Sequence, residues 1–90
     1  MITYEELVSA ANAYCRKKGY YCSGEEFLSD VMTDGEGGGE KDTKNGISKS
    51  WFFMSSKHDD FCSKIVQYDR VIYDDGGEIC DYEPVGYEID

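Results

Sequence analysis

The stretch "SKIVQYDRVIYDDGGEICDY", residues 63–82, decides the fold of this 90-residue chain. Its first half is dense in β-branched and aromatic residues, which favour strands. The run Asp-Asp-Gly-Gly at 74–77 supplies the residue types that a tight turn needs, and strand-forming residues resume after it. We therefore predict a β-hairpin with strands at about 64–73 and 78–84. Residues 57–69 leave an alternative open, because their apolar residues also fit the spacing of a helix.

Two helices are predicted before the hairpin from their capping residues. In a capping box, a Ser or Thr and a Glu three residues later each accept a hydrogen bond from the other's backbone N–H. The chain contains two such pairs, Thr3 with Glu6 and Ser23 with Glu26. Apolar residues recur at helical spacing after each pair, and Gly19 ends the first pattern. These signals predict helices at 4–18 and 24–33, joined as an αα pair.

The remaining segments complete a predicted α+β fold. Residues 34–46 are mostly Gly and charged residues, so we expect a flexible acidic loop there. Strand-forming residues predict a strand at about 47–56, and residues 85–90 are expected to form an acidic tail. The fold class that follows is an N-terminal αα pair packed on a three-stranded antiparallel β-sheet, a meander, with residues 1–90 in a single domain.

Charge is the feature of the sequence that bears most on function. The chain has a formal net charge of −10, and residues 74–90 hold seven of its 19 acidic residues and no Lys, Arg or His. Direct binding to nucleic acid is disfavoured, because phosphate contacts need Lys and Arg gathered on one face. An acidic segment of this kind suits a strongly basic partner, or it serves only to keep the protein soluble and to blunt an exposed strand.

The cysteines do not form a recognisable metal or disulfide motif. They are Cys15, Cys22, Cys62 and Cys80. Structural zinc sites need close pairs of ligands, which these spacings do not provide. Without a secretion signal, reduced and packed thiols are favoured over the two disulfides that a secreted protein would form.

No catalytic or cofactor site is predicted elsewhere in the chain. A loop starting at Asp30 lacks the acids of a calcium-binding loop. His58 and Cys62 have the spacing of a dyad on a helix, but nothing near them in sequence supplies an oxyanion site. Paired carboxylates are explained by helix starts and by a turn. We therefore predict that the protein is not an enzyme and needs no metal or cofactor.

The acidic hairpin and tail are predicted to bind a protein partner. Alternate carboxylates of a strand point to the same side, and interleaved tyrosines provide stacking groups. This combination is expected to imitate a nucleic-acid strand and to block a basic, nucleic-acid-binding protein. In being short, acidic and poor in motifs, the chain is similar in composition alone to phage-encoded inhibitors of CRISPR and restriction systems. The predicted contact residues are Asp74, Asp75, Glu78, Asp81, Tyr82, Glu83, Tyr87, Glu88 and Asp90.

A second hypothesis is a small self-associating scaffold or interaction module. The run Trp51–Met54 places large apolar groups on both faces of its strand, and a face that the helices leave uncovered favours a homodimer. The acidic tail would then only solubilise the chain. Under both hypotheses the expected location is the cytoplasm, that of the host if a phage encodes the protein. No apolar run approaches the ~18 residues of a membrane span, and no signal peptide is visible.

Overall fold

Two helices precede a four-stranded antiparallel sheet in the computed structural model, which describes residues 1–34, 37–42 and 46–90. The elements are α1 (Tyr4–Lys18), α2 (Gly24–Asp34), β1 (Gly37–Asp42), β2 (Ile47–Phe53), β3 (Lys64–Tyr73) and β4 (Ile79–Ile89). Each strand pairs with the next along the chain, in the order β1-β2-β3-β4. The prediction of an α+β fold with an N-terminal αα pair and an antiparallel meander is confirmed.

The first helix has the caps that its sequence predicts. Thr3 Oγ1 accepts a hydrogen bond from the Glu6 amide at 3.1 Å, and Glu6 Oε1 accepts one from the Thr3 amide at 3.2 Å. Gly19, with φ +75°, ends the helix, and the Tyr20 N–H donates to the Cys15 carbonyl at 2.9 Å. That bond is typical of a Schellman turn, which sends the chain back along the last turn of α1.

The second helix begins against the side of the first. Ser23 Oγ accepts a hydrogen bond from the Glu26 amide at 3.1 Å, which is one of the two hydrogen bonds of the predicted capping box. The Gly24 N–H donates to Asn12 Oδ1 at 2.6 Å, so a side chain in the middle of α1 satisfies a backbone donor at the start of α2. The two helices are therefore joined by polar contacts as well as by apolar packing.

Residues 37–42 form strand β1, although the sequence predicts a flexible loop over 34–46. β1 pairs with β2 along its whole length. A strand rich in Gly lacks the β-branched and aromatic side chains by which strands are recognised, and its pairing is made by the backbone. The sheet therefore has one strand more than the three predicted. Residues 35–36 and 43–45 of the predicted loop lie outside the described residues.

β2 ends at Phe53, short of the predicted limit at residue 56, because the chain turns there. The Met54 N–H donates to the Ser63 carbonyl at 3.0 Å, and hydrogen-bonded turns occupy the segment between them. Over 57–69, where the sequence fits both helix and strand, the chain makes these turns and then enters β3.

β4 continues to Ile89 and so includes all but the last residue of the segment 85–90, for which the sequence predicts an acidic tail. Apolar residues alternate with others there, a strand signal that the negative charge concealed. The pairing of β4 with β3 shifts register twice, which leaves Cys80 and Val85 as bulged residues on β4. Farther along, the N–H and C=O of Tyr87 bond to the backbone of Ile2 on the outer edge of β4.

The core lies at one end of the sheet, beneath the two helices. Leu7 of α1, Leu28 of α2 and Ile65 of β3 are fully buried in it, and Tyr87 joins them from β4. The molecule measures 50 × 22 × 20 Å along its principal axes. The helices therefore cover only part of a long sheet, and the turn between β3 and β4 extends beyond them.

Candidate functional site

The end of the sheet farthest from the core is an exposed hairpin. Residues 73–85, which comprise the turn between β3 and β4 and the strand ends beside it, are all exposed and are called the acidic hairpin below. The acidic hairpin holds five carboxylates and no Lys, Arg or His. Its members among the predicted contact residues are Asp74, Asp75, Glu78, Asp81, Tyr82 and Glu83.

Hydrogen bonds to Asp74 fix the tip of the acidic hairpin. Asp74 Oδ1 accepts from the backbone N–H groups of Gly76 and Glu78, both at 2.9 Å. The Asp74 carbonyl also accepts from the Gly77 N–H at 3.0 Å, and Gly77 takes the φ of +80° that favours glycine. One carboxylate of the acidic hairpin thus has a structural role in the turn.

Pairing with β3 places two carboxylates of β4 on one face of the sheet. Asp81 lies opposite Ile72 and Glu83 lies opposite Arg70. As alternate residues of one strand, the two acids are ~6.5–7 Å apart and point to the same side. Tyr82, between them in sequence, points to the opposite side. The outcome is a short row of negative charge on a rigid backbone.

The other face of the acidic hairpin is aromatic and apolar. Tyr73 lies opposite Ile79, and Tyr82 lies opposite Val71. The exposed fractions are 41% for Tyr73, 37% for Ile79 and 38% for Tyr82, so large parts of these side chains contact solvent. This face is continuous with the one that buries Ile65 at the other end of β3, but the helices do not reach it.

Few cations offset the charge of β4. Arg70 Nη1 lies 3.8 Å from Glu83 Oε2, and Lys64 Nζ lies 3.6 Å from Asp90 Oδ2. Both pairs are substantially exposed, so solvent and salt screen them and they contribute little to stability. These are the ion pairs found on β3 and β4 among the described residues. The acidic hairpin therefore keeps most of its negative charge uncompensated.

Three predicted contact residues lie outside the acidic hairpin. Tyr87 is 6% exposed and packs in the core with its ring centroid 5.8 Å from that of Tyr4, so its prediction as a stacking group is wrong. Burial raises the pKa of Tyr87. Glu88 and Asp90 are exposed but lie at the opposite end of β4. The structure adds Ile79, which sequence reasoning missed although it follows the turn directly.

A concave feature, separate from the acidic hairpin, lies at the junction of α1 and α2. It is an open cleft of about 470 Å³. Its lining includes Tyr20, Cys22, Phe27, Asp30, Lys57 and His58. The His58 ring packs edge-on against three aromatic rings, with centroid distances of 5.0 Å to Phe27, 5.8 Å to Tyr20 and 6.0 Å to Tyr14. The wall of the cleft is therefore a packed aromatic cluster.

Hydrogen bonds hold His58 in that cluster. The Tyr14 hydroxyl donates to Asp60 Oδ1 at 2.8 Å and lies 3.2 Å from His58 Nδ1. Asp60 also forms an ion pair with Lys18. The Lys18 ammonium and the Tyr14 hydroxyl lower the pKa of Asp60, so its carboxylate only accepts. Because the Tyr14 hydroxyl has one proton and gives it to Asp60, a hydrogen bond between Tyr14 and His58 requires the tautomer in which Nδ1 carries the hydrogen.

No hydrogen bond joins His58 to Cys62, both of which lie in the described part of the chain. The imidazole Nδ1 is engaged with Tyr14, as described above. Cys62 is buried, and burial followed by the nearby Asp90 charge raises the pKa of its thiol to about 11. The thiol stays protonated near neutral pH and lacks the thiolate form that attacks substrates.

No comparison with known proteins assigns a function to the acidic hairpin or to the cleft. Among the described residues, no group of three or more His, Cys, Asp or Glu side chains is arranged to hold a metal ion. In the same part of the chain, no helix is long and apolar enough to cross a membrane. No protein-family model matches the chain, and neither a curated protein nor a solved structure matches it.

Proposed function

We propose that the protein is a non-enzymatic inhibitor whose acidic hairpin occupies the nucleic-acid site of a basic partner protein. The observation that carries the proposal is the two-faced acidic hairpin: carboxylates on one side and half-exposed tyrosines on the other. A groove that binds a nucleic-acid strand offers cations for phosphates and flat surfaces for bases. The acidic hairpin presents carboxylates that can pair with such cations and tyrosine rings that can stack on such surfaces, all from one rigid element.

The charge distribution supports a partner rather than solubility alone. The excess of acids is concentrated on an element that extends past the core, and the cations near it form only weak, exposed pairs. Complementary charge speeds association and gives the complex a steep dependence on salt. The turn held by Asp74 reduces the conformational entropy that the acidic hairpin loses on binding.

The test is capture followed by competition. Tagged protein is incubated with lysate of a candidate host, and the captured proteins are eluted with rising NaCl. A purified captured protein is then titrated with a labelled oligonucleotide in the presence of the untagged chain. We expect the chain to displace the oligonucleotide, and we expect the affinity of the complex to fall about tenfold or more in the variant D81N/E83Q, because interfacial charge pairs are lost.

A matched control removes two charges elsewhere. Glu5 and Glu25 are exposed residues in the first turns of the two helices, away from the acidic hairpin. The variant E5Q/E25Q has the same net charge as D81N/E83Q and should bind the partner as the wild type does. Equal loss of binding in both variants would show that only net charge matters. A captured protein that keeps its oligonucleotide would contradict the proposal.

Self-association is the competing hypothesis, and one exposed residue favours it. Phe53 is 46% exposed and lies opposite Lys64, on the sheet face away from Ile65 and the helices. Phe52 lies opposite Ile65 on the face with the core, so Phe53→Glu tests a dimer more cleanly than Phe52→Glu. A dimer seen by light scattering that Phe53→Glu dissociates, with no capture by the acidic hairpin, would favour the scaffold hypothesis.

A further inference from the structure

The turn between the helices brings two thiols together. Cys15 lies in the last turn of α1, and Cys22 precedes Ser23, the residue that caps α2. The Schellman turn at Gly19 reverses the chain between them. Their Sγ atoms are 3.9 Å apart, and both cysteines are free.

We propose that Cys15 and Cys22 are an oxidation site, at which peroxide closes a disulfide between the end of α1 and the start of α2. A disulfide bond is ~2.05 Å long, so the two sulfurs must approach each other by about 2 Å. The three residues 20–22 lie outside both helices, and the Tyr21 side chain is fully exposed. A small movement of this short segment supplies the approach without displacing α1.

Accessibility decides which sulfur reacts first. Cys22 is partly exposed and lines the open cleft, whereas Cys15 is 2% exposed. Burial, followed by its contact with Cys22, raises the pKa of Cys15. Cys22 is therefore the thiol that meets peroxide, and Cys15 is the thiol that resolves the product.

The two steps balance with one hydrogen peroxide. In the first, the sulfur of Cys22 attacks a peroxide oxygen, the O–O bond breaks, and the thiol proton leaves with the other oxygen as water. Cys22 is now a sulfenic acid. In the second step, the sulfur of Cys15 attacks the sulfur of Cys22, the S–O bond breaks, and the hydroxyl leaves as water with the Cys15 proton. Two thiols are oxidised to a disulfide, and the peroxide is reduced to two waters.

The other two cysteines serve as internal references. Cys62 is buried and Cys80 is exposed on the acidic hairpin. Among the four cysteines, all of which the structure describes, the pair 15 and 22 is the one with sulfurs in contact. Cys80→Ser removes a thiol that would otherwise link two molecules, and as an exposed position it should leave the fold intact.

The experiment uses the full chain carrying Cys80→Ser, treated with stoichiometric hydrogen peroxide and then alkylated. Measured before alkylation, the intact mass should fall by two hydrogens, about 2 Da, relative to the untreated chain. Arg16, Lys17 and Lys18 lie between the two cysteines, so trypsin separates them into different peptides. The disulfide should therefore appear as one cross-linked pair of peptides that a reductant separates.

Two comparisons make the proposal falsifiable. Adding Cys22→Ser should abolish the cross-link, while adding Cys62→Ser should leave it unchanged. The cross-link should also form at least about tenfold faster in the folded chain than in guanidinium chloride, because the fold brings the sulfurs together. A cross-link that involves residue 62, equal rates in both solvents, or oxidation of Cys22 to sulfinic acid without a cross-link would overturn the proposal.

Discussion

Gly24, the first residue of α2, lies directly against the backbone of α1. A Cβ atom placed on it would lie 2.7 Å from the Asn12 backbone nitrogen and 2.7 Å from the Val8 carbonyl oxygen. Real Cβ contacts do not reach such distances, and backbone atoms within a helix yield less readily than the end of a flexible side chain. The angle at which α2 leaves α1 therefore depends on the absence of a side chain at this position.

Gly24→Ala is expected to destabilise the protein by ~1–3 kcal/mol, because the new methyl group forces the helices apart. The better helix propensity of Ala offsets at most ~1 kcal/mol of that loss. Urea unfolding followed by circular dichroism measures the difference. The matched control is Gly76→Ala, where a Cβ atom meets only Asp74 Oδ1 at 3.4 Å. If the two variants have the same unfolding midpoint, the close approach of the helices is not as tight as described.

Among the elements, the helices and β3 could be predicted from the sequence, whereas β1 and the second half of β4 could not. Capping boxes and Gly19 are local signals that do not need tertiary information. β1 has no β-branched or aromatic residue that would mark a strand in the sequence, so its strand conformation depends on pairing with β2. The second half of β4 carries both alternation and charge, and the charge suggested a solvated tail.

The candidate site, like the fold, could be predicted only in part from the sequence. The acids that flank the turn are visible in the sequence, and the hairpin pattern already places Asp81 and Glu83 on one side. The burial of Tyr87 was not predictable, because it depends on α1 covering that end of the sheet. Residues near a turn keep their exposure whatever packs elsewhere, whereas residues farther along a strand do not.

At the level of one element, Asp74→Ala is expected to loosen the tip of the acidic hairpin. The substitution removes the acceptor for the N–H groups of Gly76 and Glu78. Losing ~1 kcal/mol of local stability should make these two amides exchange with solvent roughly five to ten times faster. Amides in α1 should keep their rates, because the tip lies outside the core.

Hydrogen exchange followed by NMR measures this effect residue by residue. Asp75→Ala is the matched control, since it removes the neighbouring charge from the same turn. Unchanged exchange at Gly76 and Glu78 in Asp74→Ala would mean that the backbone bonds alone hold the turn.

In the whole molecule, the buried core and the acidic hairpin lie far apart. The core occupies one end of a body 50 Å long, and the acidic hairpin occupies the other. With a net charge of −10, the acids repel one another in the folded state. Their repulsion is screened by salt over a Debye length of ~10 Å at 0.1 M.

Adding NaCl from 10 to 300 mM is therefore expected to raise the thermal midpoint by ~2–4 °C, since that is the shift that a gain of ~0.5 kcal/mol gives a domain of this size. Differential scanning fluorimetry at fixed pH measures the shift. The variant D75N/E78Q should respond less, because it starts with less repulsion at the tip. A midpoint that falls with NaCl would show that ion pairs outweigh repulsion in this fold.

The bulges at Cys80 and Val85 limit how another polypeptide can pair with β4. The unpaired backbone N–H and C=O groups of an edge strand can bond to a further strand, from a partner or from another copy of the chain. Two register shifts interrupt the outer edge of β4, and Pro84 between them has no N–H to donate. At Tyr87, the backbone of Ile2 already pairs with this edge. Strand addition along the β4 edge is therefore disfavoured. A partner that binds the acidic hairpin, as proposed above, would have to contact its side chains, because the backbone of β4 does not offer an uninterrupted edge for pairing.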